Sequence, residues 1–169
     1  MLYIREALLR DLPAILDIYN DAIKTLTATF DLEEQTLDER KAWFEKYGGD
    51  FPLVVAKLDG KVAGYSCLSP FRDKAAYSRT TELSLYIASE FRGKGVGKAL
   101  MEDILQRAAD AGYHTVIGGI TGGNEASVKL HEKFGFEFVG CFKEVGYKFD
   151  EWQDVHFYQR MLNTEKTKG

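Results

Sequence analysis

The chain has 169 residues, of which 45% are hydrophobic and 28% charged, and its formal net charge is −4. This length predicts one domain with a full buried core and leaves no room for a second domain. The net negative charge and the dispersed basic residues argue against nucleic acid as a partner, and no apolar run has the length that spans a bilayer.

The hydropathy pattern of the first half predicts a strand, two helices and a hairpin. Pro13 stands in the first turn of an amphipathic helix, and Thr36 starts the second helix through a capping box with Glu39. Asp59-Gly60 is a strong signal for a two-residue hairpin turn. The predicted spans are a strand at 3–6, a helix from 11, a helix from 36 to about 48, and strands at 51–58 and 61–69.

The second half predicts a strand, a helix, a strand, a helix and two final strands. Gly146, Trp152 and Asp154 fall in a predicted loop between the last two strands. The predicted spans are strands near 80–88, 114–119, 137–144 and 155–162, with helices ending at 111 and running from 124 to about 134. This order predicts an α/β fold in which helices pack on both faces of a mixed, mostly antiparallel sheet. The domain extends over residues 1–162, and a polar tail follows at 163–169.

Both cysteines lie in apolar runs. Cys67 and Cys141 have neither C-x-x-C spacing nor histidines nearby, which predicts buried free thiols rather than a disulfide or a metal site. The N-terminus has no long apolar segment of the kind found in secretion signals. We therefore expect a soluble protein of the reducing cytoplasm.

A glycine-rich turn between a strand and a helix predicts an anion site. Glycines at 93, 95 and 97 can adopt backbone angles closed to other residues, so that successive N–H groups can converge on one point. The positive end of the following helix is directed at the same point. Positive side chains surround it, namely Arg92, Lys94 and Lys98. The expected ligand is a phosphate or diphosphate.

Three glycine-loop patterns compete for this turn. A P-loop requires Gly-Lys-Ser/Thr, which is absent, and a dinucleotide fingerprint requires G-x-G-x-x-G spacing on an early strand. The pattern Arg92-x-x-Gly95-x-Gly97 resembles the diphosphate-binding signature of the GCN5-related N-acetyltransferases (GNAT), which bind acetyl coenzyme A. A turn that only starts a helix is the structural alternative.

A second stretch strengthens this resemblance. Asn124 begins a helix that leaves through Phe134-Gly135-Phe136, as in the second signature of the same family. Over nearly the whole chain, short matches in shared spacing resemble the phosphinothricin and methionine sulfone or sulfoximine acetyltransferases. These matches are Tyr19-Asn20, Thr29-Phe30, Pro70-Phe71-Arg72, Ala76-Tyr77, Thr81-Glu82, Gly146-Tyr147-Lys148-Phe149 and Trp152-x-Asp154. The resemblance implies the GNAT fold and a homodimer. It also implies direct acetylation of the α-amino group of a small anionic amino acid, in a ternary complex without a metal.

The resemblance also implies which residues contact the coenzyme. The backbone of Leu85, Tyr86 and Ile87 would line the pantetheine arm and the thioester, where fixed amides can polarise a developing oxyanion. Asn124 and the turn would complete the contacts, the turn comprising Arg92, Gly93, Lys94, Gly95, Val96, Gly97 and Lys98. The alternatives are core packing for the strand side chains and plain helix capping for Asn124.

Two residues are candidates for proton transfer. An α-amino group is protonated at neutral pH and must lose a proton before it attacks a thioester. Glu82 stands where the family has its general base, and an exposed, salt-bridged glutamate is the alternative. His131 stands where an acid would protonate the departing thiolate, and a packed or capping histidine is the alternative.

The acceptor site is implied by a basic loop. Arg72, Lys74 and Tyr77 resemble the residues that hold the anion of the substrate, and a bidentate arginine matches a two-oxygen anion. A solvated basic loop is the alternative. Phe30 is assigned to an apolar wall of the same pocket, with a core position as its alternative.

One departure from the resemblance bears on the substrate. Gln153 stands where the herbicide-detoxifying enzymes have a histidine, which bears on whether phosphinothricin itself is acetylated; Trp152 and Asp154 are interpreted as pocket support. Two other functions stay open: acetylation of a protein N-terminus or lysine, which needs an open peptide groove, and a non-catalytic acetyl-CoA-binding module. Neither a membrane nor a nucleic acid is expected as a partner.

Overall fold

The protein is described by a computed structural model over residues 1–162, so the predicted tail lies outside the described residues. The strands are β1 (Leu2–Glu6), β2 (Leu53–Leu58), β3 (Lys61–Pro70), β4 (Thr80–Ile87), β5 (Thr115–Thr121), β6 (Glu137–Lys148) and β7 (Glu151–Met161). The helices are α1 (Leu12–Thr25), α2 (Leu37–Phe44), α3 (Val96–Asp110) and α4 (Glu125–Lys133). Among these described helices, none combines the length and apolar character needed to cross a membrane.

All seven strands form one sheet in the order β1-β2-β3-β4-β5-β7-β6. Every neighbouring pair is antiparallel except β4 and β5, which run parallel. Alternate residues of β2 enter different cores, because successive strand side chains point to opposite faces. Val54 packs with α3 and Val55 packs with α1. The predicted α/β fold with helices on both faces is therefore confirmed.

Helix α2 shows how local signals set the bounds of an element. Thr36 and Glu39 form the predicted capping box, with hydrogen bonds of 3.1 and 3.2 Å between each backbone N–H and the other side chain. The helix ends at Phe44, earlier than predicted, because the amides of Lys46 and Tyr47 turn to carbonyls three residues back. That tighter pattern is typical of a frayed last turn.

The prediction for the final two strands was wrong about the loop between them. β6 continues to Lys148 and β7 starts at Glu151, joined only by Phe149-Asp150. Both turn residues have left-handed φ angles, 56° and 59°, as a tight hairpin turn requires. Gly146, Trp152 and Asp154 therefore lie in strands. Two register irregularities in β6 disturb the alternating pattern that would have revealed the strand.

A gap between the two parallel strands shapes the functional end of the sheet. β4 and β5 pair only over Thr80, Thr81 and Glu82, although both strands continue well beyond this point. Gly64 on β3 lets α3 begin close to this gap. A Cβ at Gly64 would lie 2.7 Å from the Tyr86 carbonyl oxygen and 3.2 Å from the side chains of Val96 and Leu100.

Candidate active site

A groove of about 690 Å³ lies where β4 and β5 separate. Its lining comes from α1 and the segment after it, the end of β4, the glycine turn, the turn after β5 with α4, and the β6–β7 hairpin. Its residues include Leu85, Tyr86, Ile87, Arg92, Gly93, Gly122, Gly123, Asn124, Leu26, Thr27 and Ala28. The structure thus brings the predicted strand contacts, the start of the glycine turn and Asn124 into one cavity.

The glycine turn has the backbone geometry of an anion site. Gly93 and Gly95 have left-handed φ angles of 76° and 82°, and Gly95 is the residue that precedes α3. The first N–H groups of a helix have no carbonyl partner within the helix, so the amides of Val96, Gly97 and Lys98 are available to a phosphate, whereas the Ala99 amide donates to the Gly95 carbonyl at 3.1 Å. The side chains of Lys94 and Lys98 are exposed beside them.

Gly97 serves a different purpose from the one predicted. It lies inside α3, and its φ angle is not left-handed. A Cβ at this position would lie 3.0 Å from Ile87 Cδ1 and 3.3 Å from Leu130 Cδ2. Gly97 therefore allows α3 to pack closely against β4 and α4, while Val96, which is buried, contributes only its amide to the turn.

The side chains of the β4 segment belong to the core, as the structural alternative held. Leu85 and Ile87 pack against the α3 side of the sheet. On the other side, Tyr86 stacks on Tyr65 at 5.3 Å between ring centroids, and its hydroxyl donates to the Ala28 carbonyl at 3.3 Å. Packing of these side chains in the core leaves the edge of the β4 backbone directed at the groove. Core packing of the side chains is therefore compatible with backbone contacts to the coenzyme.

The position of Asn124 is compatible with both of its interpretations, helix capping and contact with the coenzyme. Its side-chain oxygen accepts a hydrogen bond from the Ser127 amide at 3.3 Å, which caps α4. The residue also lines the groove.

One wall of the groove is held by a buried lysine for which no role was predicted. Lys148 is 3% exposed, and its Nζ donates to the carbonyls of Leu26 and Thr29 at 2.6 and 2.8 Å. Thr121 donates to the intervening Thr27 carbonyl at 2.7 Å. Burial lowers the pKa of Lys148. No local pattern could have indicated contacts between residues so distant in the chain.

Glu82 lies on β4, three residues before the predicted thioester segment. It is half-buried and makes no ion pair within 4.0 Å in the described part of the chain, unlike the salt-bridged alternative. Burial raises the pKa of its carboxyl group, and the Arg72 guanidinium partly opposes that rise. A carboxylate whose pKa is raised toward neutrality is a better proton acceptor.

His131 lies in the interior, away from the lining of the groove. Its Nδ1 is 2.7 Å from the Ser127 carbonyl, which only accepts, so we assign the proton to Nδ1. Its ring meets Phe136 edge to face at 4.9 Å, and a Cβ at Gly118 would lie 2.8 Å from its Nε2. Burial lowers the pKa of the imidazole. This neutral, packed placement favours the packing alternative over the acid.

The predicted anion-holding residues line a separate cleft of about 1080 Å³ at the other end of β4. Arg72, Lys74 and Tyr77 all belong to this lining, together with residues at the end of α3. The Arg72 guanidinium lies 4.6 Å above the Phe71 ring, which in turn meets Tyr77 edge to face. The cleft shares no lining residue with the groove. Glu82 stands between the two along β4.

The remaining candidates lie along the β6–β7 hairpin. The Phe30 ring covers Gly146, where a Cβ would lie 2.6 Å from Phe30 Cε2. Gln153 does line the groove, and its Nε2 donates to the Lys148 carbonyl at 3.0 Å. Trp152 is 62% exposed beside Tyr147, and neither it nor Asp154 lines the groove. The interpretation of these two residues as pocket support stays a prediction.

Comparison with known proteins agrees with this geometry. The chain is 38% identical to the L-methionine sulfoximine/L-methionine sulfone acetyltransferase of Pseudomonas aeruginosa, over 98% of this chain and 96% of that protein. A phosphinothricin acetyltransferase from Sinorhizobium meliloti, solved with acetyl-CoA, matches with a TM-score of 0.92 and 36% identity, covering 95% of this chain and 88% of that one. A ribosomal-protein-alanine N-acetyltransferase from Brucella melitensis matches with a TM-score of 0.92 and 41% identity, covering 95% and 99%.

The fold and the groove together define an N-acetyltransferase, an enzyme class that uses acetyl-CoA. The chain belongs to the acetyltransferase (GNAT) family, whose model matches residues 14–136.

The glycine turn can be tested by a matched pair of substitutions. Gly95→Val places a β-branched residue at a φ angle of 82° and should redirect the amides that bind the diphosphate. We expect acetyl-CoA affinity, measured by calorimetric titration, to fall about tenfold or more. Gly112→Val imposes similar strain, at a φ angle of 87°, beyond the far end of α3, and should leave affinity unchanged. Equal affinities in the two folded variants would disprove the assignment.

Proposed function

We propose that this enzyme transfers the acetyl group of acetyl-CoA directly to the α-amino group of a small anionic amino acid or analogue. Methionine sulfone, methionine sulfoximine and phosphinothricin represent the acceptor class. The observation that carries the proposal is the placement of Glu82, a carboxyl group with a raised pKa, on β4 between the groove and the Arg72 cleft. A pure binding module would have no use for a base at that position.

The coenzyme half of the reaction rests on backbone groups. The amides of residues 93–98 hold the diphosphate, and the unpaired edge of β4 hydrogen-bonds the pantetheine arm along Leu85, Tyr86 and Ile87. The same edge presents N–H groups to the thioester oxygen as it becomes an oxyanion. Folding has already oriented these groups, so the reaction itself does not need to reorganise them. Asn124 contacts the coenzyme from the opposite side of the groove.

The acceptor half rests on charge. Arg72 and Lys74 hold the anionic end of the acceptor, with Tyr77 as a further contact from the same cleft. Phe30 lies against Gly146, outside that cleft, and stays the apolar contact that the resemblance implies. Glu82 takes a proton from the ammonium group, directly or through a water molecule. The amine nitrogen then attacks the thioester carbon, and the intermediate collapses by breaking the carbon–sulfur bond. The coenzyme leaves as a thiolate and takes up a proton, for which His131 stays the candidate donor that the resemblance implies, although its packing favours a structural role.

Oligomeric state, location and metal requirement complete the proposal. We expect a homodimer, which is supported by exposed apolar side chains on β6 and β7, including Phe138, Val139, Phe142 and Val145. Proton transfer by Glu82 and anion binding by Arg72 make a metal unnecessary for the chemistry. The partners are small molecules, and the location proposed is the cytoplasm.

A protein N-terminus is the second candidate acceptor. The similarity to the Brucella melitensis protein, which is named for acetylating a ribosomal-protein alanine, favours it. An N-terminal peptide would enter through the Arg72 cleft, which is larger than the coenzyme groove.

A free-thiol release assay distinguishes the two candidates. Purified enzyme is given acetyl-CoA with methionine sulfone, methionine sulfoximine, phosphinothricin, ordinary amino acids, polyamines or N-terminal peptides. We expect kcat/KM to be highest for an amino-acid acceptor with a free α-amino group and a second acid or sulfonyl group. A preference for peptides would support the second candidate, and acetyl-CoA binding without turnover on any acceptor would support the binding module.

Glu82→Gln keeps the shape of the side chain but removes the proton acceptor. At pH 7 we expect kcat to fall roughly 100-fold or more with little change in acetyl-CoA affinity. Because burial raises the pKa of Glu82, wild-type kcat/KM should rise with pH as the carboxyl group loses its proton. The part of this rise that is due to Glu82 should be absent from the variant, whose remaining pH dependence comes from the unprotonated fraction of the acceptor amine. Glu137→Gln, on the exposed start of β6, serves as the control, and near wild-type turnover in Glu82→Gln would rule out the role.

Arg72→Ala tests two proposed effects of the guanidinium, namely binding of the acceptor anion and lowering of the Glu82 pKa. The loss of a charge-assisted contact should reduce kcat/KM for the anionic acceptor by about 2 to 4 kcal/mol and leave the KM for acetyl-CoA unchanged. Because Arg72 lowers the pKa of Glu82, its removal should also move the acid limb of the pH profile to higher pH. Arg79→Ala removes another cation of the same cleft and should not move that limb. If the acid limb of the pH profile does not shift in Arg72→Ala, Arg72 does not control the pKa of Glu82.

A further inference from the structure

Three side chains that can bind a metal meet on one face of the β6–β7 ladder. Cys141 and His156 are directly opposite each other across the two strands, and their Sγ and Nε2 atoms are 3.8 Å apart. Asp154 lies two residues before His156 and therefore on the same face. One ligand atom from each of the three lies within 4.8 Å of the other two. Cys141 is a free thiol, as predicted, but it is half-buried rather than buried, and strand pairing places it opposite a histidine that is distant in the sequence.

We propose that Cys141, Asp154 and His156 bind one Zn²⁺ ion, with water as the fourth ligand. Thiolate, imidazole and carboxylate are the three ligand types that zinc uses in proteins. Tetrahedral zinc with Zn–S of about 2.3 Å and Zn–N of about 2.0–2.1 Å places sulfur and nitrogen roughly 3.6 Å apart. The observed 3.8 Å between Sγ and Nε2 is close to this value. Small side-chain movements therefore suffice, and the Cys141 thiol gives up its proton when the ion binds.

The surroundings of the cluster hold these side chains in place. Asp154 Oδ1 accepts a hydrogen bond from the Glu144 amide at 2.7 Å, across the irregular part of β6. Hydrogen bonds of this kind orient a carboxylate toward a metal. Gly122 leaves space beside the imidazole, since a Cβ there would lie 3.5 Å from His156 Nε2. All three ligands are half-buried, so an ion can reach them from solvent.

The position of the cluster gives the ion a structural consequence. The Gly122 amide donates to the Asp154 carbonyl at 2.9 Å, and Gly122 also lines the coenzyme groove. A bound ion would link β6 to the part of β7 that holds this rim of the groove. The cluster itself lies outside the groove and outside the Arg72 cleft, so the proposal does not depend on the proposed reaction.

Cobalt provides a direct optical test. Reduced protein is freed of metal with a chelator and titrated with Co²⁺, whose tetrahedral complexes with thiolate show charge-transfer absorption in the near ultraviolet. We expect one Co²⁺ per chain, displacement by Zn²⁺, and a zinc-dependent rise in the unfolding temperature. Absence of the thiolate band at saturating Co²⁺ would overturn the proposal.

Variants assign the ligands. Cys141→Ser, Asp154→Asn and His156→Gln should each weaken Zn²⁺ binding at least tenfold, and Cys141→Ser should abolish the thiolate band. Cys67→Ser and His114→Gln are the matched controls and should keep both the band and the affinity. Full affinity in Asp154→Asn would reduce the site to a thiol–imidazole pair and overturn the three-ligand assignment.

A second measurement covers the case in which a variant fails to fold. In the wild-type protein, Zn²⁺ should slow the alkylation of Cys141 by iodoacetamide, measured by mass spectrometry of the peptide, and leave Cys67 unaffected. Unchanged alkylation of Cys141 at saturating Zn²⁺ would contradict the proposal. Acetyl-CoA affinity measured on the same samples establishes that the fold is intact.

Discussion

Strands β4 and β5 share only three paired residues on each strand, yet on their other sides β4 pairs with β3 from Thr81 to Ile87 and β5 pairs with β7 over its whole length. The inner edges therefore carry backbone N–H and C=O groups that need a partner, which a ligand with amide groups of its own can supply. The separation begins at Gly118, where the His131 imidazole occupies the space that a side chain would take. Gly97 brings α3 close to the same point. Close packing at these two glycines places the helix start and the strand edges around one groove.

Two buried cations, rather than apolar packing alone, hold the segment between α1 and α2, the start of which lines that groove. Lys148 and Arg40 are both 3% exposed, and neither makes an ion pair within 4.0 Å over residues 1–162. Carbonyl oxygens surround Lys148, whereas the Arg40 guanidinium lies 3.5 Å from the centroid of Trp43 and 4.0 Å from that of Tyr19. Aromatic faces and carbonyl dipoles thus replace carboxylates as partners. The segment between α1 and α2 is fixed against the sheet by these contacts.

Features encoded within a few residues could be predicted from the sequence, and features that depend on distant contacts could not. The left-handed glycines at 93 and 95, the Thr36 capping box and the Asp59-Gly60 turn all follow from local patterns. The continuation of β6 and β7 was missed because Phe149-Asp150 is an unusual sequence for a left-handed turn, and because bulges obscure the alternation in β6. The contacts of Lys148 and the meeting of Cys141 with His156 exist only once the strands pair, and no spacing in the sequence reveals them.

The position of Glu82 relative to Arg72 gives the proposed reaction a source of selectivity. In the free protein, the Arg72 guanidinium holds down the pKa of Glu82, which burial raises. An acceptor anion bound to Arg72 would offset that positive charge, and an acceptor that fills the cleft would remove water from around the carboxylate. Both effects raise the pKa of a carboxyl group and make it a stronger base. An acceptor without an anion would leave Arg72 uncompensated and Glu82 a weaker base. The binding energy of the anionic group would then contribute to proton removal as well as to affinity, which is how an interaction remote from the reacting atoms increases kcat.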